Sequence, residues 1–133
     1  MTVLIDTNVL VSAALFPDGL AKQAFVAAIE GGDEAIVCDY SIAELHEVFR
    51  RKFPDRLHLL PRFMAYLSSG VTIVSTPNEP TADEPIVRDP KDQPILSAAR
   101  AADADLILTG DKDLLDAHLD WPTCVNPRGF LAR

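Results

Sequence analysis

Two acidic residues stand just beyond apolar segments of the sequence, where parallel strands would bring them together. Asp6 follows directly on the apolar run 2–5 (TVLI), and Asp111 lies two residues beyond the run 106–109 (LILT). Open parallel α/β sheets bind ligands beyond the carboxyl ends of their strands, so both carboxylates are expected at one crevice. Carboxylate oxygens select hard cations such as Mg²⁺, Mn²⁺ or Ca²⁺. The two positions therefore suggest a cation site at that edge.

Two further acids fall in the first turns of predicted helices. Glu44 lies near the start of a helix predicted to begin at Ser41 (SIAELHEVFRRKF), and Asp92 near the start of a helix over 90–102 (PKDQPILSAARAA). Glu44 follows the second predicted strand, so the topology brings it to the same crevice. Asp92 reaches the crevice only if the loop 76–90 crosses over the sheet.

Some of these acids have a structural alternative. Ser41 and Glu44 fit the capping-box pattern S-x-x-E, which by itself favours a capping role for Glu44. Asp6 is harder to explain in this way, because an unpaired charge between a buried strand and an apolar helix would be costly. For Asp6, functional and structural roles both stay open.

The acids around the last two predicted helices can also act as caps. Asp89 precedes Pro90, an N-cap followed by proline at the first helical position, and we assign Asp89 to capping. Asp92 would then be the third helical residue, where a carboxylate interacts favourably with the helix dipole. Asp111 and Asp113 flank a short predicted helix and could serve as its cap and first-turn acid.

The apolar pattern predicts strands that alternate with helices. Strands are predicted at 2–5, 35–38, 71–75 and 106–109, with a last edge strand at 123–125. Helices are predicted at 8–16, 20–30, 41–53, 56–68, 90–102 and 111–117. This alternation is typical of an α/β fold, a three-layer α/β/α sandwich with a mainly parallel sheet of four to five strands. The length of 133 residues fits one domain over 1–133.

Composition and motifs disfavour several other classes of protein. The net charge of −8 at pH 7 argues against sequence-independent nucleic-acid binding through a basic face. Cys38 and Cys124 are too few for a disulfide scaffold or a zinc site, and they indicate a reducing compartment. No apolar run reaches the roughly 20 residues of a membrane helix, so we expect a cytoplasmic protein that does not associate with membranes.

Other catalytic patterns are poorly represented. The three histidines, His46, His58 and His118, are far apart in sequence, which disfavours a pair acting as general acid and base. No glycine-rich nucleotide-binding motif is present. Asn8 stands two residues after Asp6, where an aspartyl phosphotransferase would need a second acid.

Three segments together resemble a known family. The opening VLIDTNVLVSA, the helix SIAELHEV and the segment RDPKDQPILSAARAADADLILTGDKDLL resemble the corresponding parts of PIN domains. The resemblance runs from Thr2 to about Phe130. The opening aspartate alone is a weak signal, whereas the ordered set of three segments at these spacings is specific. The resemblance implies a PIN-like fold.

The resemblance also implies which residues form the site. The family's acidic quartet corresponds to Asp6, Glu44, Asp92 and Asp111. A frequent fifth acid of the family corresponds to Asp113. Asn8 and Thr109 match positions whose side chains often support the site by hydrogen bonds. Direct coordination is expected from Asp6 and Asp92. Glu44 and Asp111 are expected to share a second ion or to orient the attacking water.

PIN domains cleave RNA with bound metal, so the expected activity is that of an endoribonuclease dependent on Mg²⁺ or Mn²⁺. Hydrolysis assisted by such ions would leave 5′-phosphate and 3′-hydroxyl ends. Many bacterial members are VapC-like toxins of toxin-antitoxin systems. The resemblance therefore implies an RNA substrate, a possible cognate antitoxin and a homodimer as partners.

Two other functions stay open. The chain could be a non-catalytic PIN-fold module that binds RNA or protein, although such a module need not keep four costly acids. It could also be a metal-dependent phosphatase, which a comparison of mononucleotide and RNA substrates would reveal.

Two groups of side chains are ambiguous as well. The basic group at the end of the third helix suits either the helix dipole or phosphate contact; it comprises Arg50, Arg51, Lys52 and Arg56. The apolar stripe of the fourth helix suits either the core or a partner chain; it comprises Leu59, Leu60, Phe63 and Leu67.

Overall fold

The computed structural model describes residues 1–133 and is built around a parallel sheet of five strands. The strands are β1 (Thr2–Ile5), β2 (Glu34–Cys38), β3 (Thr72–Val74), β4 (Leu106–Leu108) and β5 (Thr123–Val125). Their order in the sheet is β3-β2-β1-β4-β5, and every neighbouring pair is parallel. β1 lies at the centre, with Leu4 aligned with Ile36 on one side and Ile107 on the other. The predicted α/β class is confirmed.

Seven α-helices and one 3₁₀ helix connect and cover the strands. The α-helices are α1 (Thr7–Leu15), α2 (Leu20–Glu30), α3 (Asp39–Lys52), α4 (Leu60–Gly70), α5 (Gln93–Ala101), α6 (Lys112–Leu115) and α7 (Pro127–Leu131). The 3₁₀ helix spans Pro54–Leu59. No single helix is both long and apolar enough to cross a bilayer; α1 and α2 reach that composition only as a pair, bent by 111°.

Both faces of the sheet are covered, which makes three layers. Successive strand residues point to opposite faces. Val3 and Ile5 of β1 pack with α1 to α4 and α7, whereas Leu4 packs with α5 on the other face. Burial on both faces explains why β1, β2 and β4 read as continuous apolar runs instead of alternating patterns. The expected α/β/α sandwich is confirmed.

The apolar stripe of α4 packs into the larger of the two apolar clusters. Leu60, Phe63 and Leu67 are buried, and Leu59 is half-buried against the same cluster. The ring of Phe63 stacks on that of Phe25, with 5.0 Å between the ring centroids. The core role for this stripe is therefore the observed one.

The start of α3 differs from the prediction. The helix begins at Asp39 instead of Ser41, and Cys38 in the N-cap position makes no side-chain capping bond. Ser41 is buried, and its hydroxyl accepts a hydrogen bond from Thr7 Oγ1 at 2.9 Å. The predicted capping box is therefore wrong, because Ser41 joins the turn after β1 to α3 instead of capping the helix.

The helix predicted over 56–68 is divided in two. A 3₁₀ helix occupies Pro54–Leu59, and α4 follows from Leu60. Pro54 and Pro61 each lie in the first turn of their helix. Proline lacks the backbone N–H that a helix interior needs, so Pro61 is compatible with a new helix start but not with the middle of one.

The segment between β3 and α5 returns the chain from the edge of the sheet to its centre. β3 is an edge strand, whereas β4, which follows α5, lies beside β1. Residues 75–92 contain no helix or strand. Glu84 accepts hydrogen bonds from Thr81 N at 2.9 Å and from Ser97 Oγ at 2.6 Å. These bonds fix the returning segment against α5.

Candidate metal centre

A cleft of about 460 Å³ lies at the carboxyl edge of the sheet. The acids that line it are Asp6, Glu44, Asp89, Asp92 and Asp111, and the cations are Lys52 and Lys91. All four acids that were predicted to converge are among them. Asp92 was expected to reach the crevice only if the loop before α5 crossed over the sheet. This loop does bring Asp92 back to the central strands.

Asp6 is a buried acid with a hydrogen bond to each of its carboxylate oxygens. It is only 4% exposed. Its Oδ1 accepts from Thr7 N and its Oδ2 from Thr109 Oγ1, each at 2.7 Å. Burial raises the pKa of Asp6 to about 6, although the bonds from Thr109 and Thr7 lower it; the charges of Asp111 and Glu44 raise it further. The fold therefore holds this carboxyl where its charge is costly.

Thr109 and Asn8 link the turn after β1 to the turn after β4. Thr109 Oγ1 donates to Asp6 and accepts from Asp111 N at 2.9 Å. Asn8 Oδ1 accepts from Gly110 N at 3.2 Å. Asp6 and Asp111 are thereby held beside each other by two neighbouring strands, and the two predicted supporting residues lie where they can orient them.

Asp111 also caps α6, since its Oδ1 accepts from Asp113 N at 2.8 Å. Asp113 lies in the first turn of α6, so both structural roles considered for this pair are observed. The side chain of Asp113 does not line the cleft. Its carboxylate faces Arg88 Nη1 at 3.7 Å, and the side chain is 35% exposed. The structure therefore separates Asp113 from the other predicted acids.

Asp92 is the least compensated acid in the cleft. It is 6% exposed, and its Oδ2 is buried without a hydrogen-bond partner. Burial raises the pKa of Asp92 above its ordinary value, and so do the close approach of the Asp111 carboxyl and the charges of Asp111, Asp6 and Asp89. A buried carboxylate oxygen without a donor is energetically unfavourable unless a cation or a proton compensates it.

Asp89 belongs to this acidic group and does not cap α5. The helix begins at Gln93, with Asp92 in the N-cap position. Asp89 Oδ1 accepts from Lys91 N at 3.0 Å, within the turn that precedes the helix. One carboxylate oxygen each of Asp89, Asp92 and Asp111 lies within 4.8 Å of the others. The predicted helix start at residue 90 and the assignment of Asp89 to capping are wrong.

Glu44 reaches the cleft from α3. It lies one helical turn after Tyr40 on α3, and Tyr40 Oη donates to Glu44 Oε2 at 3.4 Å. Glu44 is half-buried and lines the cleft but does not join the close group of Asp89, Asp92 and Asp111. Asp89, Asp92 and Asp111 thus form one close group, and Asp6 and Glu44 line the same cleft outside that group.

Comparison with known proteins places the chain in a family. The model of the PIN domain family matches residues 2–113. The chain belongs to the PIN domain family. No match is found among curated proteins.

A solved structure shares the fold of this PIN domain along nearly its whole length. It is the crystal structure of VapBC2 from Rickettsia felis bound to a DNA fragment from their promoter. The likeness covers 95% of this chain and 98% of that chain, with a TM-score of 0.68 and 16% sequence identity. At this identity the comparison supports the fold of the PIN domain and not its activity.

The donor set of the PIN domain fits a hard divalent cation. All the acids of the cleft offer oxygen, and no histidine or cysteine lines it. Oxygen ligands suit Mg²⁺ and Mn²⁺ better than softer metals. The unpartnered Oδ2 of Asp92 supplies an oxygen that a cation could satisfy. His46 is exposed, and its ring bonds to Ile42 O of its own helix at 2.9 Å, which removes it from the site chemistry.

Proposed function

We propose that this PIN domain is a metal-dependent endoribonuclease that uses Mg²⁺ or Mn²⁺ to hydrolyse RNA phosphodiesters. The observation that carries the proposal is the convergence of two almost fully buried acids, Asp6 and Asp92, at the carboxyl end of the central strands. Burying two carboxylates is costly, and Asp92 keeps an unpartnered oxygen. A divalent cation would offset that cost.

The proposed ligands are Asp6, Asp92 and Asp111, with Glu44 facing them. A bound divalent ion would supply positive charge to phosphate oxygens and lower the pKa of an attacking water. Glu44 is half-buried and is bonded to Tyr40, so its carboxylate is positioned to accept a proton from such a water. Thr109 and Asn8 act as positioning residues, because they fix the turns that carry Asp6 and Asp111.

Two lysines of the cleft are the proposed contacts for RNA phosphates. Lys52 ends α3, and Lys91 lies between Asp89 and Asp92; both line the cleft. Arg50 from the same basic group is instead paired with Glu47, 2.7 Å away. Phosphate contact is therefore proposed for Lys52 and Lys91, while Arg50 has a structural partner on its own helix.

The test is cleavage of a labelled structured RNA with Mg²⁺ or Mn²⁺. Wild type should cleave, and EDTA should abolish cleavage. Asp6→Asn should reduce the rate by at least about 10²-fold, because it keeps the shape of the side chain and its capping acceptor but removes the charge. Asp116→Asn is the matched control, since Asp116 is an exposed acid that does not line the cleft.

Two results would contradict the nuclease proposal. Cleavage that persists in Asp6→Asn or in EDTA would place the activity elsewhere. RNA binding without cleavage of any tested RNA, combined with no binding of Mn²⁺ in calorimetry, would favour the alternative of a non-catalytic binding module.

We also propose that this chain is a toxin with a cognate antitoxin. This role is supported by the fold shared with a chain of the VapBC2 complex from Rickettsia felis, which was solved bound to promoter DNA. A cytoplasmic location is also proposed, because Cys38 and Cys124 are both free thiols. Growth arrest on expression of wild type but not of Asp6→Asn would support the toxin role.

A homodimer is proposed as well. A strict monomer in light scattering would contradict it.

A further inference from the structure

We propose that Asp89 is a metal ligand of this chain, in addition to the four acids named above. The proposal rests on the proposed metal-dependent function and makes its site more specific. It assigns the cation to the close group formed by Asp89, Asp92 and Asp111, so that the loop before α5 contributes two of the ligands. The sequence alone had assigned Asp89 to capping. In the structure α5 begins at Gln93 and Asp92 occupies the N-cap position, so Asp89 does not cap this helix.

A tight turn brings the first two acids of this group together. Asp92 N donates to Asp89 O at 2.9 Å, which closes a turn of four residues with Pro90 at its second position. Proline at this position fixes φ near the value the turn requires. Asp89 Oδ1 accepts from Lys91 N at 3.0 Å, so one oxygen of this carboxylate has a fixed place and the other makes no hydrogen bond. The loop therefore presents Asp89 in a defined orientation beside Asp92.

Asp92 gives independent reason to expect a cation at this group. It is 6% exposed, and its Oδ2 has no hydrogen-bond partner although it lies in a cleft wall. One carboxylate oxygen each of Asp89, Asp92 and Asp111 lies within 4.8 Å of the other two. Three carboxylates this close repel one another strongly in a partly buried place. A divalent cation compensates all three at once, whereas a single proton compensates only one.

Asp6 differs from this group in its hydrogen bonding. Each of its carboxylate oxygens already accepts a bond, from Thr7 N and from Thr109 Oγ1. The group of Asp89, Asp92 and Asp111 therefore contains the carboxylate oxygens that lack hydrogen-bond donors, whereas both oxygens of Asp6 have one. Replacing Asp89 should consequently weaken cation binding even though all four quartet acids remain.

The experiment is calorimetric titration of Mn²⁺ into the metal-free full-length chain, comparing wild type, Asp89→Asn and Asp83→Asn. Asparagine at 89 keeps the acceptor for Lys91 N and so preserves the turn. Asp83 is the matched control: it lies in the same loop, is exposed, and has a φ of 61°, which asparagine adopts readily. Circular dichroism checks folding, and Asp89→Ser, which also keeps an acceptor, replaces the first variant if it misfolds.

Asp89→Asn should raise the Kd for Mn²⁺ by at least about tenfold, whereas Asp83→Asn should stay within about twofold of wild type. In EDTA, Asp89→Asn should also unfold at a higher Tm than wild type, because one repelling charge is gone; a merely structural role for Asp89 predicts a lower Tm. Equal Mn²⁺ affinity of wild type and Asp89→Asn overturns the inference alone. A wild type that binds no Mn²⁺ overturns both the inference and the proposed function.

Discussion

Thr109 serves two acids of the cleft with a single hydroxyl group. Its Oγ1 donates to Asp6 Oδ2 and accepts from Asp111 N. Thr109→Val keeps the shape of this fully buried side chain but removes both bonds. We expect it to cost roughly 1–3 kcal/mol of stability and to weaken Mn²⁺ binding by about 10- to 100-fold.

Thr109→Ser is the control for this substitution, because it retains the hydroxyl and loses only a methyl group. Chemical denaturation and calorimetry measure the two effects. Mn²⁺ affinity that is unchanged in Thr109→Val would show that the hydroxyl only supports the fold and does not orient the acids.

The buried carboxyl of Asp6 should make the metal-free protein less stable as the pH rises. Its pKa is about 6 in the folded chain against an ordinary value of 3.8, so between these values the folded state holds a proton that the unfolded state has lost. Stability is therefore fully present near pH 4 and is lost as the pH passes about 6, by on the order of 3 kcal/mol. The raised pKa of Asp92 extends the loss to higher pH.

Thermal unfolding in EDTA across this pH range measures the effect, and Asp6→Asn should show a smaller loss than wild type. Mn²⁺ should restore stability at neutral pH, because it binds only the charged carboxylates. A loss of stability across this range that is no smaller in Asp6→Asn than in wild type would contradict this prediction.

At the scale of single residues, the sequence identified the acids of strand ends better than those of helix starts. Asp6 follows β1 directly and Asp111 lies in the turn after β4, so the parallel topology alone predicts that they meet. Asp89 was missed because the pair Asp89-Pro90 also fits a helix cap, and local sequence cannot tell a cap from a turn that precedes the helix. The spacing D-x-x-D across a proline turn was the signal that could have found it.

The loop between β3 and α5 depends on Glu84 for its position. Burial raises the pKa of Glu84, but bonds from Ser97, Gln93 and Thr81 outweigh it and leave the pKa below its ordinary value. This carboxylate is thus charged and accepts several bonds at once. Glu84→Gln should release the loop locally, at a cost of about 1–3 kcal/mol for the donors left unpaired.

Hydrogen exchange across residues 76–92 measures this release, and Mn²⁺ affinity should fall in parallel because the loop carries Asp89 and Asp92. Glu79→Gln is the matched control, since Glu79 is exposed in the same loop and its side chain makes no hydrogen bond. Unchanged exchange in Glu84→Gln would mean that the contacts of Val87 with the apolar cluster suffice to hold the loop.

Among the elements, the central strands and the long helices were predictable, because continuous apolar runs match the buried strands and apolar residues at helical spacing match the buried helix faces. The start of α3 was not, since it depends on tertiary contacts. Ser41 bonds to Thr7, and Asp39 Oδ1 accepts from Thr76 N at 3.0 Å and from Thr76 Oγ1 at 2.6 Å. These contacts join residues 34 and 37 positions apart in the chain, so no local pattern could reveal the boundary.

The net charge of the whole molecule should make its binding of RNA depend on divalent cations. With a net charge of −8 at pH 7, the metal-free chain repels a polyanion, and the five acids of the cleft add to the repulsion where RNA would enter. We expect no measurable binding of a generic RNA in EDTA at roughly physiological salt, and binding that appears with Ca²⁺. Filter binding measures both conditions, and tight binding in EDTA would instead favour the non-catalytic module.

The loop that returns from β3 also divides the molecule into two parts that share the site. One part, up to the loop, carries Asp6 and Glu44; the other carries Asp89, Asp92 and Asp111, and the two meet where β1 pairs with β4. Two fragments separated in this loop before Asp89 would hold two and three of the five acids, respectively. Their reassembly should therefore be promoted by divalent cations, which would make a split version of this chain a reporter of metal concentration.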